Sequence, residues 1–189
     1  MKKALLLAGV LVANSVIFTS CTKEKPVVPK ENELITTLIL TLRNEAVPSD
    51  SVVLRFFDID GMGGIPPVVS QEGEIRAGTL YNGFITLLDE TQDPPGDVNA
   101  DILATDVDHQ FFYLTDGVDL EFTYRDFDRN GRPLGLRMEV KAGTPSAGRL
   151  TIILRHYPDK AAPGVSAGDI TNAGGSTDIQ ADFDVEVLP

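Results

Sequence analysis

The chain has 189 residues, a formal net charge of −12, 42% hydrophobic residues, one Cys, two His and no Trp. That length suits one domain with a usable apolar core. The acidic balance argues against nucleic acid as a partner, since phosphate binding needs clustered Lys and Arg, and a single Cys excludes an internal disulfide framework.

The first element in chain order is an address. "MKKALLLAGVLVANSVIFTSC" begins with Lys2 and Lys3, continues as an apolar run to Phe18, and reaches Cys21 through Thr19 and Ser20. This is the layout of a secretory signal peptide. The apolar run is short and broken by Asn14 and Ser15, which argues against a permanent membrane span. Cys21 directly after the small residues resembles the bacterial lipoprotein signal, although Phe18 stands where that signal commonly has Leu. The resemblance implies cleavage after residue 20 and acylation of the Cys21 thiol, with two or more acyl chains needed for stable anchoring. Residues 21–32, "CTKEKPVVPKEN", are then a lipidated Cys and a flexible tether, polar and interrupted by Pro26 and Pro29.

From Glu33 onward the dominant period is two, which predicts strands with one buried and one wet face. "LITTLILTL", "SVVLRFF" and "LYNGFITLL" come first, separated by turns such as "GMGGIPP" and "DPPGD". The turn after "SVVLRFF" carries Asp58 and Asp60, a candidate acidic cluster. At most one short helix is expected, near 97–107, where Asp97 can cap and Val98 and Ile102 share a face. "HQFFY" reads as strand and core packing.

"LEFTYRDF" places Leu120, Phe122 and Tyr124 on one face, and "LGLRMEV" places Leu134, Leu136, Met138 and Val140 likewise. Between them, "RDFDRNGRP" puts Asp126, Asp128 and Asn130 at positions one, three and five of a calcium-loop pattern, with Gly131 at six. Position twelve of that pattern is Arg137, where an EF-hand needs a bidentate acid. Asn130-Gly131 is also a strong hairpin signal, both residues tolerating positive φ. The stretch therefore reads as a turn joining strands 119–127 and 134–141, with Asp126, Asp128 and Asn130 as candidate ligands for a divalent cation.

In "RLTIILRHY", His156 is in phase with Leu150, Ile152 and Leu154 and points inward at a strand end. It is either a hydrogen-bonded His at the core rim or, with His109 and a nearby Asp, part of a transition-metal site. The loop 158–176 is long enough to be a candidate binding edge, with Asp159, Asp169 and Asn172 as contacts. Within it, "GVSAG" matches the nucleophile-elbow motif at Ser166, but its flanks read as loop rather than strand and helix. The last segment, "IQADFDVEV", alternates from Ile179 to Val187. No phosphate loop, Cys-Cys zinc pair or dinucleotide fingerprint is present in the sequence, so no cofactor and no catalytic residue is expected.

Seven to nine strands over residues 33–189 predict an all-β, antiparallel β-sandwich of immunoglobulin-like type as a single domain, with a β-barrel as the alternative. The segments "ENELITTL", "TLYNGFITLLDET", "DHQFFY", "DFDRNGRPLGL", "LRHYPDK" and "GVSAGDITNAGGSTDIQADFDV" resemble a group of Bacteroidota lipoproteins. Genes of that group neighbour TonB-dependent outer-membrane receptors, and some members carry the label "type 1 periplasmic binding fold". The label implies an α/β protein, which the strand periodicity here opposes. The resemblance implies a lipid-anchored outer-membrane location and a receptor partner, and it transfers no catalytic residue. The expected function is a non-enzymatic binding or accessory module, the alternative a structural or adhesive surface module; a serine hydrolase at Ser166 ranks below both.

Overall fold

A computed structural model describes residues 34–60 and 64–189 of the chain. The signal peptide, Cys21 and the tether lie outside the described residues. In chain order the strands are β1 (Thr37–Asn44), β2 (Ser51–Phe57), β3 (Val68–Glu72), β4 (Ile75–Arg76), β5 (Leu80–Asp89), β6 (Gly96–Asp97), β7 (His109–Asp116), β8 (Leu120–Tyr124), β9 (Arg137–Ala142), β10 (Ser146–His156) and β11 (Ser176–Leu188). One helix, α1 (Val98–Ala104), precedes β7. Nine of these strands have five or more residues, within the expected range, and β4 and β6 are two-residue additions.

The strands form an all-β, sandwich-like arrangement of two sheets. One runs β3-β2-β1-β5-β9-β8, with β6 beside β5; the other runs β4-β11-β10-β7. Pairing is antiparallel except between β4 and β11, which is parallel. Alternation explains the core. Along β11, Ile179, Ala181, Phe183, Val185 and Val187 are buried while Gln180, Asp182, Asp184 and Glu186 are exposed. They share one apolar cluster with Leu38, Leu40 and Leu42 of β1, Leu54 of β2 and Leu150, Ile152 and Leu154 of β10. Where β7 and β8 approach, Tyr113 and Phe122 stack with ring centroids 4.7 Å apart. No helix among the described residues is long and apolar enough to cross a membrane.

The helix is where the capping signal predicts it. The Asp97 carboxylate accepts from Asn99 N at 3.0 Å, and Val98 and Ile102 are buried. The hairpin strands are shorter than predicted. Pairing of β8 with β9 covers Leu120–Tyr124 and Met138–Ala142, beyond which the arms keep a Phe127–Pro133 bridge and the bonds Arg125 N to Arg137 O and Leu134 N to Asp126 O. The ladder breaks because the Asp126 carboxylate takes the Gly135 and Leu136 amides at 2.8 and 3.0 Å, bending the returning strand away. The turn also differs from the expected one. Gly131 alone takes a positive φ, +76°, with Gly131 N donating to Asp128 O and Asp128 N to Arg132 O. This is a turn ending in a left-handed glycine, so Asn130 does not need the left-handed region.

The alternation along β11 is testable by paired substitutions. Phe183→Ala, at a site 1% exposed, is expected to cost about 3–5 kcal/mol in urea unfolding followed by tyrosine fluorescence. Glu186→Gln, three residues on and outward, should stay within about 0.5 kcal/mol.

Candidate functional site

The calcium-like turn does not assemble a cation site from Asp126, Asp128 and Asn130. Both Asp126 oxygens accept backbone amides. Asp128 Oδ1 accepts from the amides of Asn130 and Arg132 at 2.8 and 2.9 Å, and its Oδ2 accepts from Lys160 Nζ at 2.9 Å. The oxygens a hard cation would need already have donors, and Asn130 is exposed on the turn. Burial raises the Asp126 carboxyl above its usual range, against the opposing pull of the Gly135, Arg137 and Leu136 amides. At Asp128 burial also pushes upward, but the Arg132 and Asn130 amides and the Lys160 ammonium outweigh it and hold the carboxyl low. Burial pulls Lys160 down from the usual ammonium range, because its two acceptors, Asp128 and Asp106 O, offset desolvation only in part. The buried pair is thus lopsided, with the carboxylate over-satisfied and the ammonium under-satisfied.

The long loop is packed rather than open. It contains two 3-10 turns, Val165–Ala167 and Ile170–Asn172, and Val165 and Ala173 bury against Phe112 of β7. Gln110 Nε2 donates to Val165 O at 2.8 Å beneath it. The three predicted contact residues hold the loop's own shape. Asp159 accepts from Ala161 N, Asp169 accepts from Thr171 N, and Asn172 Nδ2 donates to Pro163 O. Ser166 sits on the first 3-10 turn, with no strand entering and no α-helix leaving, and its hydroxyl donates to Lys160 O at 2.8 Å. An open groove of about 870 Å³ lies at the opposite end of β10, lined by Glu74, Asp116, Arg149, Asp184 and Glu186 among others.

The two histidines do meet. Strands β7 and β10 pair antiparallel with His109 opposite His156, and the imidazoles stack with centroids 4.4 Å apart. Both point into the sandwich, at 0% and 2% exposure. The third member, Asp178, was not named from the sequence. In the β10–β11 ladder Leu154 pairs with Ile179 but Arg155 pairs with Thr177, so Asp178 is the extra residue of a β-bulge. The bulge turns Thr177 outward, where it accepts from Arg155 Nη1 at 2.7 Å, and turns Asp178 inward, its side chain fully buried. Asp178 Oδ2 lies 3.5 Å from His109 Nε2, and its Oδ1 lies 3.3 Å from His156 Nδ1. One ligand-type atom from each of the three residues falls within 4.8 Å of the others.

The shell around the cluster is also ordered. His109 Nδ1 lies 3.0 Å from Thr105 O, the carbonyl at the end of α1, which makes Nδ1 a donor and leaves Nε2 facing Asp178. Tyr157 stacks on His156 at 4.1 Å and is the only non-glycine residue with positive φ among the described residues. Its amide donates to Asp108 O. The chain matches no family model, no curated protein and no solved structure.

Asp128→Asn leaves the Lys160 ammonium buried without its counter-charge. The expected loss is about 3–5 kcal/mol in chemical denaturation at neutral pH. Because the folded carboxyl titrates below its unfolded value near 3.8, the unfolded chain binds the proton first on acidification. The contribution of Asp128 is therefore complete above that value and lost as pH falls through the lower folded pKa. Acid unfolding followed by near-UV circular dichroism should show this component in the wild type and lack it in Asp128→Asn.

Proposed function

We propose that this protein is a lipid-anchored, non-enzymatic module of the bacterial outer membrane that binds or presents a ligand for a TonB-dependent transporter. The observation that carries the reading is Cys21, placed at the junction between an apolar leader and a Pro-broken polar tether. Acylation there leaves the sandwich to act at the end of a chain segment that reaches roughly 40 Å when extended. The likeness to Bacteroidota lipoproteins supplies the transporter as partner.

The fold supports a surface role through one edge of the larger sheet. Every residue of β3 is exposed, and Ile65, Val68 and Val69 present apolar side chains at 68%, 60% and 44% exposure along that edge. An apolar edge with no further strand beside it among the described residues is a template for pairing with another chain, which soluble domains ordinarily blunt with charge. On this reading the edge docks the module on its receptor, and the chemistry of the sandwich is recognition rather than turnover.

The anchor is read by metabolic labelling with palmitate and by fractionation. Wild type should carry label and sediment with the outer membrane, whereas Cys21→Ser should lose the label and be recovered in the soluble fraction. Mild-detergent purification of the untagged wild type should retain a receptor of the TonB-dependent class, and a Val68→Lys/Val69→Lys variant should release it. A labelled, membrane-bound protein that purifies alone would defeat the receptor part of the reading.

A further inference from the structure

We propose that His109, His156 and Asp178 form a binding site for one divalent transition-metal ion of the zinc class. The inference goes beyond the envelope role above and does not depend on it.

The first argument is distance. A charge-assisted hydrogen bond between an imidazolium and a carboxylate is about 2.7–2.9 Å long. The two His–Asp separations are 3.5 and 3.3 Å. Two ligands of a tetrahedral zinc ion, each about 2.0–2.1 Å from the metal, lie about 3.3 Å apart, the edge of the tetrahedron. Both separations are close to that edge, with Oδ2 facing His109 and Oδ1 facing His156, and one ligand-type atom of each residue lies within 4.8 Å of the others.

The second argument is the shell behind the ligands. A metal-bound imidazole characteristically donates its other N–H to a carbonyl or carboxylate, which fixes the tautomer and aims the free nitrogen. His109 does this through Nδ1 to Thr105 O at 3.0 Å, leaving Nε2 as the nitrogen nearest Asp178. Thr105 is itself held, its hydroxyl donating to Asp101 O at 2.7 Å. The position of His109 is thereby tied to the end of α1.

The third argument concerns Asp178. A carboxylate turned into the rim of an apolar core needs positive charge or donors around it, and two imidazoles face this one. Strict alternation would have placed Asp178 outward beside Asp182 and Asp184, and a bulge is needed to bring it in. Bulges recur where a side chain has to be re-aimed at a site. Beside Asp178 lies a cavity of about 60 Å³, also lined by Phe56 and Asp58, and Asp58 Oδ1 is buried with no hydrogen-bond donor among the described residues. That volume has room for one or two waters beside the carboxylate.

Ligand chemistry selects the ion class. Two imidazole nitrogens and one carboxylate suit Zn²⁺, Co²⁺ or Ni²⁺, whereas Ca²⁺ and Mg²⁺ take oxygen ligands. The site is also separate from the acidic turn 126–131, whose carboxylates face protein donors.

The test uses the full-length protein in detergent, stripped with chelator, loaded with Zn²⁺ or Co²⁺ and desalted. The expected result is one ion retained per chain, a Co²⁺ form with the intense visible bands of a four-coordinate site, and a melting temperature raised by about 5–10 °C at a hundredfold excess over the dissociation constant. Ca²⁺ should produce no shift. Asp178→Asn, which keeps the side-chain volume, and His156→Gln should each abolish stoichiometric retention. Wild type that retains no ion and shows no shift would overturn the proposal without reference to either variant. Retention that persists undiminished in a folded Asp178→Asn protein, or a weak six-coordinate Co²⁺ spectrum, would overturn it too, by placing the ion elsewhere. Membrane partition is scored on the cells before detergent extraction, so failure of the metal site and failure of the anchor are read separately.

Discussion

A buried ion pair orders one whole end of the sandwich. Lys160 and Asp128 meet at 2.9 Å with side chains 2% and 1% exposed. The lysine belongs to the loop after β10, the aspartate to the β8–β9 hairpin, and the same ammonium reaches Asp106 O in the connection between α1 and β7. Arg129 adds a second tie from the hairpin, to the Asp106 carboxylate and Ala104 O. A buried pair of this kind contributes little net stability over an apolar replacement, because desolvation consumes most of the attraction. Its effect is geometric: three segments that share no strand pairing at this point meet at the Lys160 ammonium, and Arg129 reinforces the junction.

That end of the molecule is also where the candidate cluster sits. His109 opens β7, His156 closes β10 and Asp178 stands near the start of β11. Their strands are neighbours in one sheet, so the backbone ladder sets the distances and the surrounding loops set the environment. The loop packing of Val165 and Ala173 on Phe112 buries the outer face of β7, while the inner face carries His109 and Phe111 into the core. Strand β7 is consequently buried on both faces at its start, and the polar groups there sit in a low-dielectric surrounding where a single charge matters most.

Much of the architecture was legible in the chain. Two-residue alternation in "IQADFDVEV" and "LGLRMEV" assigns the inward face residue by residue, because the pleat of a strand has that period whatever the strand pairs with. Asp97 as a helix cap and Asn130-Gly131 as a turn are equally local, each resting on hydrogen bonds within a few residues. His156 was placed inward for the same reason, by its phase with Leu150, Ile152 and Leu154. The resemblance of "RDFDRNGRP" to a calcium loop was local as well, and misleading: residue spacing says which oxygens are near one another, not which donors have already taken them.

The geometry of the candidate cluster, the identity of its Asp and the Lys160–Asp128 pair were illegible for a different physical reason. That His109 faces His156 is a matter of register between β7 and β10, set by the whole length of the ladder and by no feature within either strand. Asp178 follows the outward phase of its neighbours in the sequence, and a one-residue register shift in the β10–β11 ladder reverses it. Lys160 lies among Pro, Gly and Ala residues that read as solvent-exposed loop, yet it is 3% exposed because a carboxylate from another hairpin meets it there. Backbone period and turn chemistry are encoded in short stretches of chain, and they decided the elements and their buried faces. Register, the bulge and the partner of a buried charge are properties of segments meeting across the fold, and packing alone decided them.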